Sequence, residues 1–379
     1  MSFFIMMMIV AISCSIVSMK TLVGYGELKL WYKITVSSII LLGWFAPVWT
    51  RYLRKYPFFN STDYITHNVG YFLFGFVFIL FSLLIIRDLA WYMSYGIGKI
   101  ANLKVIDPKN LDVLFKTNVA VIALSLVASF YALYEGVKLP EFKYIDIQNS
   151  KVKKELTIAV ITDLHINRGT RAESVKAVVD KVNAQNPDVT VLVGDIIDDV
   201  PTLMNKQLEE LSKLKAPKGV FAVLGNHEIY RDYLLSSIKF KALGFKFLLN
   251  AGESLSEHGV YIAGVPDYGV AKSIQSGDLA IDIEKTFKES RNNEYRVLLS
   301  HTPTLFDYVT DNMDIMFSGH THGGQIFPFH FLVKLQNNYL AGMYEKDGKK
   351  LFVSRGAGFW GPPMRLFAPS DVAIVKLRP

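Results

Sequence analysis

Four stretches of the chain, residues 3–18, 34–49, 69–86 and 119–134, are overwhelmingly apolar and contain no charged residue. Each approaches the ~20 residues that an α-helix needs to cross the hydrocarbon core of a bilayer. Arg51, Arg87 and Lys138 close three of the runs, where a span would leave the lipid. Trp44, Trp49, Tyr52, Trp91 and Tyr92 stand where interfacial aromatics are expected. A cleaved signal peptide fits the first run poorly, because no basic residue precedes it and three more runs follow. The same charges argue against buried helices of a soluble protein.

Apolar residues make up 51% of the 379 and charged residues 20%, and most of the apolar excess lies before residue 138. The chain therefore reads as a membrane region with about four helices over residues 1–137 and a soluble domain over residues 138–379. Four spans would place both termini on one side. Lys20, Lys29, Lys33, Arg87, Lys99, Lys104, Lys109 and Lys116 would lie on one side of the membrane. Arg51, Arg54, Lys55, Lys138, Lys143, Lys151, Lys153 and Lys154 would lie on the other. The counts are equal, so the positive-inside rule does not choose a side. Cys14, the sole cysteine, excludes an intrachain disulfide. A net charge of +7 suits an anionic partner, either a phosphate-bearing substrate or an acidic lipid surface. No feature points to nucleic acid or to a protein partner.

Beyond residue 141 the pattern turns to short β-rich runs alternating with amphipathic helical segments. Strands are expected over 156–162, 189–193, 220–224, 260–263, 297–299, 315–317, 351–353 and 372–377. Helices are expected over 172–186 and 203–214, ended by Pro187 and Pro217. Such alternation predicts an α/β fold. Five polar blocks follow five of these strands: Asp163-Leu164-His165, Gly194-Asp195-Ile196-Ile197-Asp198, Gly225-Asn226-His227-Glu228, Ser300-His301, and Gly319-His320-Thr321-His322-Gly323-Gly324-Gln325. Ligands gather beyond the carboxyl ends of strands in open α/β sheets, so the blocks are expected to converge.

Carboxylate oxygen and imidazole nitrogen together suit Mn²⁺, Fe or Zn²⁺. A pair of such ions ~3.5–4 Å apart needs a bridging carboxylate and separate terminal ligands. Asp163 and His165 alternate along an extended strand end and are expected to chelate one ion. Asp195, set apart by Gly194, is the natural bridge, and the glycines at 194, 225 and 319 allow the backbone its close turns.

The order of these blocks resembles the calcineurin-like metallophosphoesterase family, and the likeness runs through the whole soluble part. The stretch from Val353 to Arg365 resembles the membrane-attached branch of that family. The resemblance implies a four-layer α-β-β-α sandwich and two divalent ions, Mn²⁺ first among the candidates. It assigns Asp163, His165 and His322 to one ion and Asn226, His301 and His320 to the other, with Asp195 bridging. It makes His227 a histidine facing the substrate, held by Asp198. Ser300 stands where many relatives have glycine; no ligand is missing.

A dinuclear centre lowers the pKa of a shared water so that hydroxide attacks phosphorus in line, while His227 protonates the leaving oxygen. Arg168, Arg355 and Arg365 are candidate phosphate clamps, since guanidinium bonds phosphoryl oxygens in pairs. Asp267 either orients a ligand histidine or caps a turn, and Glu228 reads as structural. The aromatic segments 326–332 and 359–367 are suited to grip acyl chains or enter the membrane interface.

The expected reaction is hydrolysis of a lipid-linked phosphoester or pyrophosphate. The resemblance points first to UDP-2,3-diacylglucosamine, cleaved to UMP and its lipid phosphate in lipid A biosynthesis at the cytoplasmic face of the inner (plasma) membrane. Other readings are a broader phosphodiesterase or phosphatase on phospholipid, polyprenyl phosphate or nucleotide substrates, and a non-catalytic membrane module with a phosphate-binding domain.

Overall fold

The computed structural model describes residues 3–53, 63–272, 277–309 and 312–379; Arg54 and Lys55 of the charge count lie outside the described residues. The chain separates into two compact units, Met1–Tyr134 with Gly361–Leu366, and Glu135–Trp360 with Phe367–Pro379.

The first unit is helical: α1 (Phe3–Val23), α2 (Leu30–Trp44), α3 (Ala46–Leu53), α4 (Asp63–Ile100) and α5 (Leu111–Val137). Among the described residues three helices are long and apolar enough to cross a membrane, or four if α2 and α3 count as one broken span, since they meet at a 69° bend. The second apolar run is thus not a continuous helix. Pro47 explains the break, because it has no N–H to donate to the Gly43 carbonyl and its ring would crowd that turn, whereas the first turn of α3 tolerates it. The third run lies inside α4, whose 38 residues reach roughly 57 Å at 1.5 Å per residue. Arg87 is therefore mid-helix, bonded to Asp88 at 2.6 Å and to the Thr117 hydroxyl at 2.8 Å. Trp44 is not interfacial: it is buried and edge-on to Phe74 and Phe81, in a cluster with Leu22, Ile40, Val77 and Leu84. Outward-facing positions such as Ile9, Leu42, Val127 and Phe130 are exposed and also apolar, as lipid contact requires. The segment Gly361–Leu366 joins this unit through the Arg365 N–H, which donates to the Ala132 carbonyl at 2.8 Å.

The second unit has two six-stranded sheets. In chain order the strands are β1 (Glu141–Gln148), β2 (Leu156–Ile161), β3 (Val189–Val193), β4 (Val220–Val223), β5 (Lys246–Phe247), β6 (Ala251–Leu255), β7 (Val260–Gly264), β8 (Tyr295–Leu299), β9 (Ile315–Ser318), β10 (Gly342–Lys346), β11 (Lys349–Val353) and β12 (Asp371–Arg378). Their orders are β1-β12-β2-β3-β4-β5 and β10-β11-β9-β8-β7-β6. Strands β2 to β5 are parallel, as are β7, β8, β9 and β11.

Side chains alternate through both sheets with the two-residue period of a pleat. Ile158, Val160, Val191, Val193, Phe221 and Val223 of the first sheet meet Val260, Ile262, Val297, Leu299, Ile315 and Phe317 of the second in one buried core. The intervening residues Ala159, Ile161, Leu192 and Ala222 face helices α6 (Ala172–Asn183), α7 (Asn205–Leu211) and α8 (Asn226–Ala242). In α6 the valines 175, 178, 179 and 182 form the covering stripe. Tyr261, Ala263, Leu298 and Met316 pack outward under Phe287, Leu305 and Phe306. The result is the α-β-β-α sandwich. Helix α6 stops short of residue 186, and the segment 203–214 resolves into a 3₁₀ turn at Pro201–Leu203 followed by α7.

Phe317, with no exposed surface between the sheets, tests this core. Phe317→Ala should lower stability by about 3–5 kcal/mol, read as an earlier thermal unfolding transition of the second unit in the detergent-solubilised chain.

Candidate metal centre

Strands β2, β3, β4, β8 and β9 deliver the five polar blocks to the same end of the sandwich. Asp163 and His165 follow β2, Asp195 and Asp198 follow β3, and Asn226 and His227 open α8 directly after β4. His301 follows β8, and His320 and His322 follow β9.

The local backbone differs from the extended alternation expected of Asp163 and His165. Both have positive φ, 51° and 50°, as do Asp195 at 52°, His320 at 71° and His322 at 49°. Left-handed backbone is sparsely occupied outside glycine, though Asp and His tolerate it better than most residues. It persists here because neighbouring loops hold it. The N–H groups of Asp163 and His165 donate to the carbonyls of Gly194 and Asp195 at 3.1 and 3.0 Å, and His320 N–H donates to the Asp163 carboxylate at 3.0 Å. A Cβ at Gly225 would overlap Asp195 Oδ1, and one at Gly319 would overlap Asp163 Oδ2. These two glycines serve close approach.

The side chains fall into overlapping groups whose donor atoms lie within 4.8 Å of one another: Asp163, His165 and His322; His165, Asp195 and His227; Asp195, His301 and His320. His322 Nε2 is 3.3 Å from Asp163 Oδ1 and 2.9 Å from His165 Nε2. Asp195 Oδ2 lies 3.1 Å from His301 Nε2 and 3.9 Å from His165 Nε2. Asn226 Oδ1 approaches His320 Nδ1 at 3.0 Å.

These residues fit metal ions. His301 Nδ1 faces the Val193 carbonyl at 2.9 Å, an acceptor only, so that nitrogen carries a proton and Nε2 is the one free to meet a cation. That Nε2 is fully buried with no hydrogen-bond partner, turned toward a carboxylate oxygen. An imidazole nitrogen and a carboxylate oxygen at this distance share a cation, a proton when no metal is bound and a metal ion when one is. Imidazole, carboxylate and amide oxygen form a donor set for divalent ions of borderline or hard character.

One oxygen of Asp198 serves two rings. Its Oδ1 is 2.6 Å from His165 Nδ1 and 2.8 Å from His227 Nδ1. Burial opposes ionisation of Asp198, but His165 and His227 outweigh it and hold the carboxyl at about 2. Burial likewise opposes protonation of His227, yet the charge of Asp195 and the bond to Asp198 raise it to about 9. Against the same burial, Asp195 and Asp163 hold His301 well above the ordinary histidine range. His301, His227 and His165 hold Asp195 well below the carboxylate range. Burial and the neighbouring His301 push His320 down.

Glu228 has a role that the sequence reading reached only as structural. Buried one turn into α8, its carboxylate accepts four backbone N–H groups: Asp195 at 3.0 Å, Ile196 at 2.7 Å, Ile197 at 2.8 Å and Gly225 at 2.8 Å. Burial and the charge of Asp195 raise it to about 7, with the N–H donors pulling the other way. The signal in the sequence was an acidic residue three positions after the helix-capping Gly225. Gln325, a second unforeseen residue, bonds both backbone groups of Trp360 at 2.8 and 3.0 Å, and the Trp360 ring stands edge-on to His227 at 6.2 Å. Asp267 caps the helix Tyr268–Ala271 through Val270 N–H at 2.9 Å and also accepts from the Thr302 hydroxyl.

The three arginines are not gathered in the same way. Arg168 pairs with Asp199 at 2.8 Å, and Arg355 with Asp371 at 3.4 Å while its stem packs over Gly323. Arg365 groups with the helical unit and is fully buried.

Comparison with known proteins places the chain among named relatives. The family described as calcineurin-like phosphoesterase matches residues 156–324. An uncharacterized metallophosphoesterase of Campylobacter jejuni is 36% identical over 263 residues, covering 68% of this chain and 69% of its own. A transmembrane protein with metallophosphoesterase domain from Danio rerio is 26% identical, covering 70% of this chain and 63% of its own. A solved dimetal phosphatase from Danio rerio aligns at a TM-score of 0.35 and 14% identity, over 53% of this chain and 88% of that one. The chain belongs to the calcineurin-like metallophosphoesterase family and is a metal-dependent phosphoesterase.

The Asp198–His227 pair gives a pH signature in protein stripped of metal. The Asp198 contribution is present above its ordinary 3.8 and lost as pH falls through about 2; that of His227 is present below its ordinary 6.5 and lost as pH rises through about 9. Asp198→Asn should therefore lower the unfolding temperature most near pH 6 (about the plateau of both contributions), with the gap to the parent chain closing as pH passes the His227 value. A gap that does not vary with pH contradicts the ion pair.

Proposed function

We propose that the chain is a membrane-anchored dinuclear hydrolase acting on a lipid-linked phosphoester or pyrophosphate, with residues 1–137 as anchor and 138–379 as catalytic domain. The reading rests on the buried, partnerless Nε2 of His301 facing Asp195, beside two imidazole Nε2 atoms 2.9 Å apart. Asp163, His165 and His322 would hold one ion, Asn226, His301 and His320 the other, and Asp195 would serve both. Mn²⁺ heads the candidates, with Fe and Zn²⁺ also suited to this donor set. When bound, such ions supply Lewis acidity, countering phosphoryl charge and lowering the pKa of water.

The protein's own groups do the rest. His227, raised to about 9, carries a proton at neutral pH. With Nδ1 committed to Asp198, its Nε2–H is available to the departing oxygen. Its ring is partly exposed whereas His165 and His301 are enclosed, which suits a group that meets substrate. Arg168 and Arg355 are the candidates to orient phosphoryl oxygens, since guanidinium bonds such oxygens in pairs. Arg365, fully buried, is retained only as a weaker candidate.

The substrate class follows from the anchor: three or four apolar helices are superfluous for a freely soluble nucleotide. UDP-2,3-diacylglucosamine, cleaved at the cytoplasmic face of the plasma membrane, is the first substrate to test. Phospholipids, polyprenyl phosphates and nucleotides complete the panel, and UMP release against that panel decides among them.

The full chain in detergent with Mn²⁺ should hydrolyse bis-p-nitrophenyl phosphate. Asp195→Asn should reduce turnover by at least about 10³-fold and lower bound metal. His227→Ala should lose roughly 10²–10⁴-fold in kcat with metal content kept. Absence of turnover, unaltered by Asp195→Asn, would instead mark a phosphate-binding module.

A further inference from the structure

The catalytic unit carries an apolar surface that the metal centre leaves unused. On the helix His330–Asn337, Phe331, Leu332 and Leu335 are 69%, 59% and 80% exposed, and Phe367 is 70% exposed. Phe327 joins Phe331 and Phe367 into one aromatic group, with ring centroids 5.9 and 5.8 Å away. Residues three and four positions apart share a helix face, so Leu335 lies beside both Phe331 and Leu332 and the three form one apolar stripe. Lys334 flanks that stripe on one side and Gln336 on the other, while Asn337, on the opposite face, is buried.

Both ends of this helix adjoin the metal-binding residues. A Cβ on Gly324, two residues after His322, would overlap the backbone of His330, so the first turn rests directly on the His322–Gly324 turn. At the other end Gln336, Asn337 and Asn338 line a polar cleft of about 390 Å³ whose far wall includes Asn226 and His320. One short helix thus has its apolar face in solvent and its polar end in the cleft beside the metal centre.

We propose that the helix His330–Asn337, with Phe367, docks into the interface of a lipid bilayer and forms the sill over which a membrane-borne substrate lowers its polar head into the cleft. The substrate clause rests on the hydrolase reading above; the docking does not. An interfacial helix has an apolar stripe edged by cationic and polar side chains, and Lys334 is placed to meet anionic head groups. The chain supplies its own membrane helices, the last of which runs into the catalytic unit through Lys138–Pro140, which favours a bilayer over a second copy as the covering surface.

The test uses the full chain with Cys14→Ser, reconstituted in phosphatidylcholine vesicles doped with phosphatidylglycerol. A bimane label at Leu335→Cys should be quenched by brominated phosphatidylcholine by roughly two-fold or more, beyond a label at Lys215→Cys, an exposed reference on the same unit. Placing Phe331→Glu and Leu335→Glu together should return a label at Leu332→Cys to the reference level. Quenching of Leu335→Cys no greater than the reference overturns the proposal. So does bimane protection that is independent of bromine and lost on dilution in detergent, which would mark a second copy. Turnover of bis-p-nitrophenyl phosphate in the same vesicles reports separately on the metal centre: quenching without turnover sinks the hydrolase reading and leaves the docking, and turnover without quenching does the reverse.

Discussion

The geometry of the centre depends on one buried carboxylate. Glu228 gathers the N–H groups of Asp195, Ile196, Ile197 and Gly225, the donors that the ends of β3 and β4 leave unused once the ladder stops. Each such donor, buried without a partner, would cost about 1–3 kcal/mol. Satisfying four with one side chain locks the two strand ends together and aims Asp195 at the second sheet. The Asp195 carboxylate then accepts the His227 N–H at 2.9 Å. The first turn of α8 therefore carries a ligand candidate in Asn226, a proton donor candidate in His227, and the clamp that positions both.

Electrostatics explains why such a cluster tolerates burial. Asp163 and Asp195 are 0% and 2% exposed, and ionised carboxylates so enclosed are costly unless paired. Without metal, the compensation is protonic: His301 and His227 are held charged by the same carboxylates they neutralise. Divalent ions would take over that neutralisation and release the His301 lone pair for coordination, so metal uptake should expel protons. Asp198 bridges the two tasks, fixing a candidate ligand ring, His165, and a candidate proton-donor ring, His227, through one oxygen.

The interior of the fold was legible in the sequence and its edges were not. Every strand anticipated from apolar runs is found, and all of them are interior strands of the two sheets. The four that went unread, β1, β5, β6 and β10, are the sheet edges. An edge strand covered on one side needs no continuous apolar run, and β10 carries Glu345 and Lys346 in its five residues. The site blocks were legible because several residue types recur at strand ends. Their left-handed backbone was not, since no composition rule distinguishes an aspartate that continues a strand from one that turns it. The apolar runs located the membrane helices without showing where they bend: Pro47 breaks one run, and nothing in the composition of 69–86 reveals that α4 continues to Ile100.

The two halves of the centre come from different sheets. Asp163, His165, Asp195 and Asn226 hang from the first, and His301, His320 and His322 from the second. No single sheet holds a complete ligand set, so the centre exists only while Val191, Phe221, Val297 and Phe317 keep the sheets in register across the buried core. A one-residue slip of a strand would turn its core residues to the outer face and carry its ligands away together. The dependence runs both ways, because an ion bound across the seam stabilises the packing by whatever free energy its binding releases. Strained backbone at the candidate ligands is sustainable for the same reason: the loops are anchored in the buried core of the sandwich, which brings the two half-sites together.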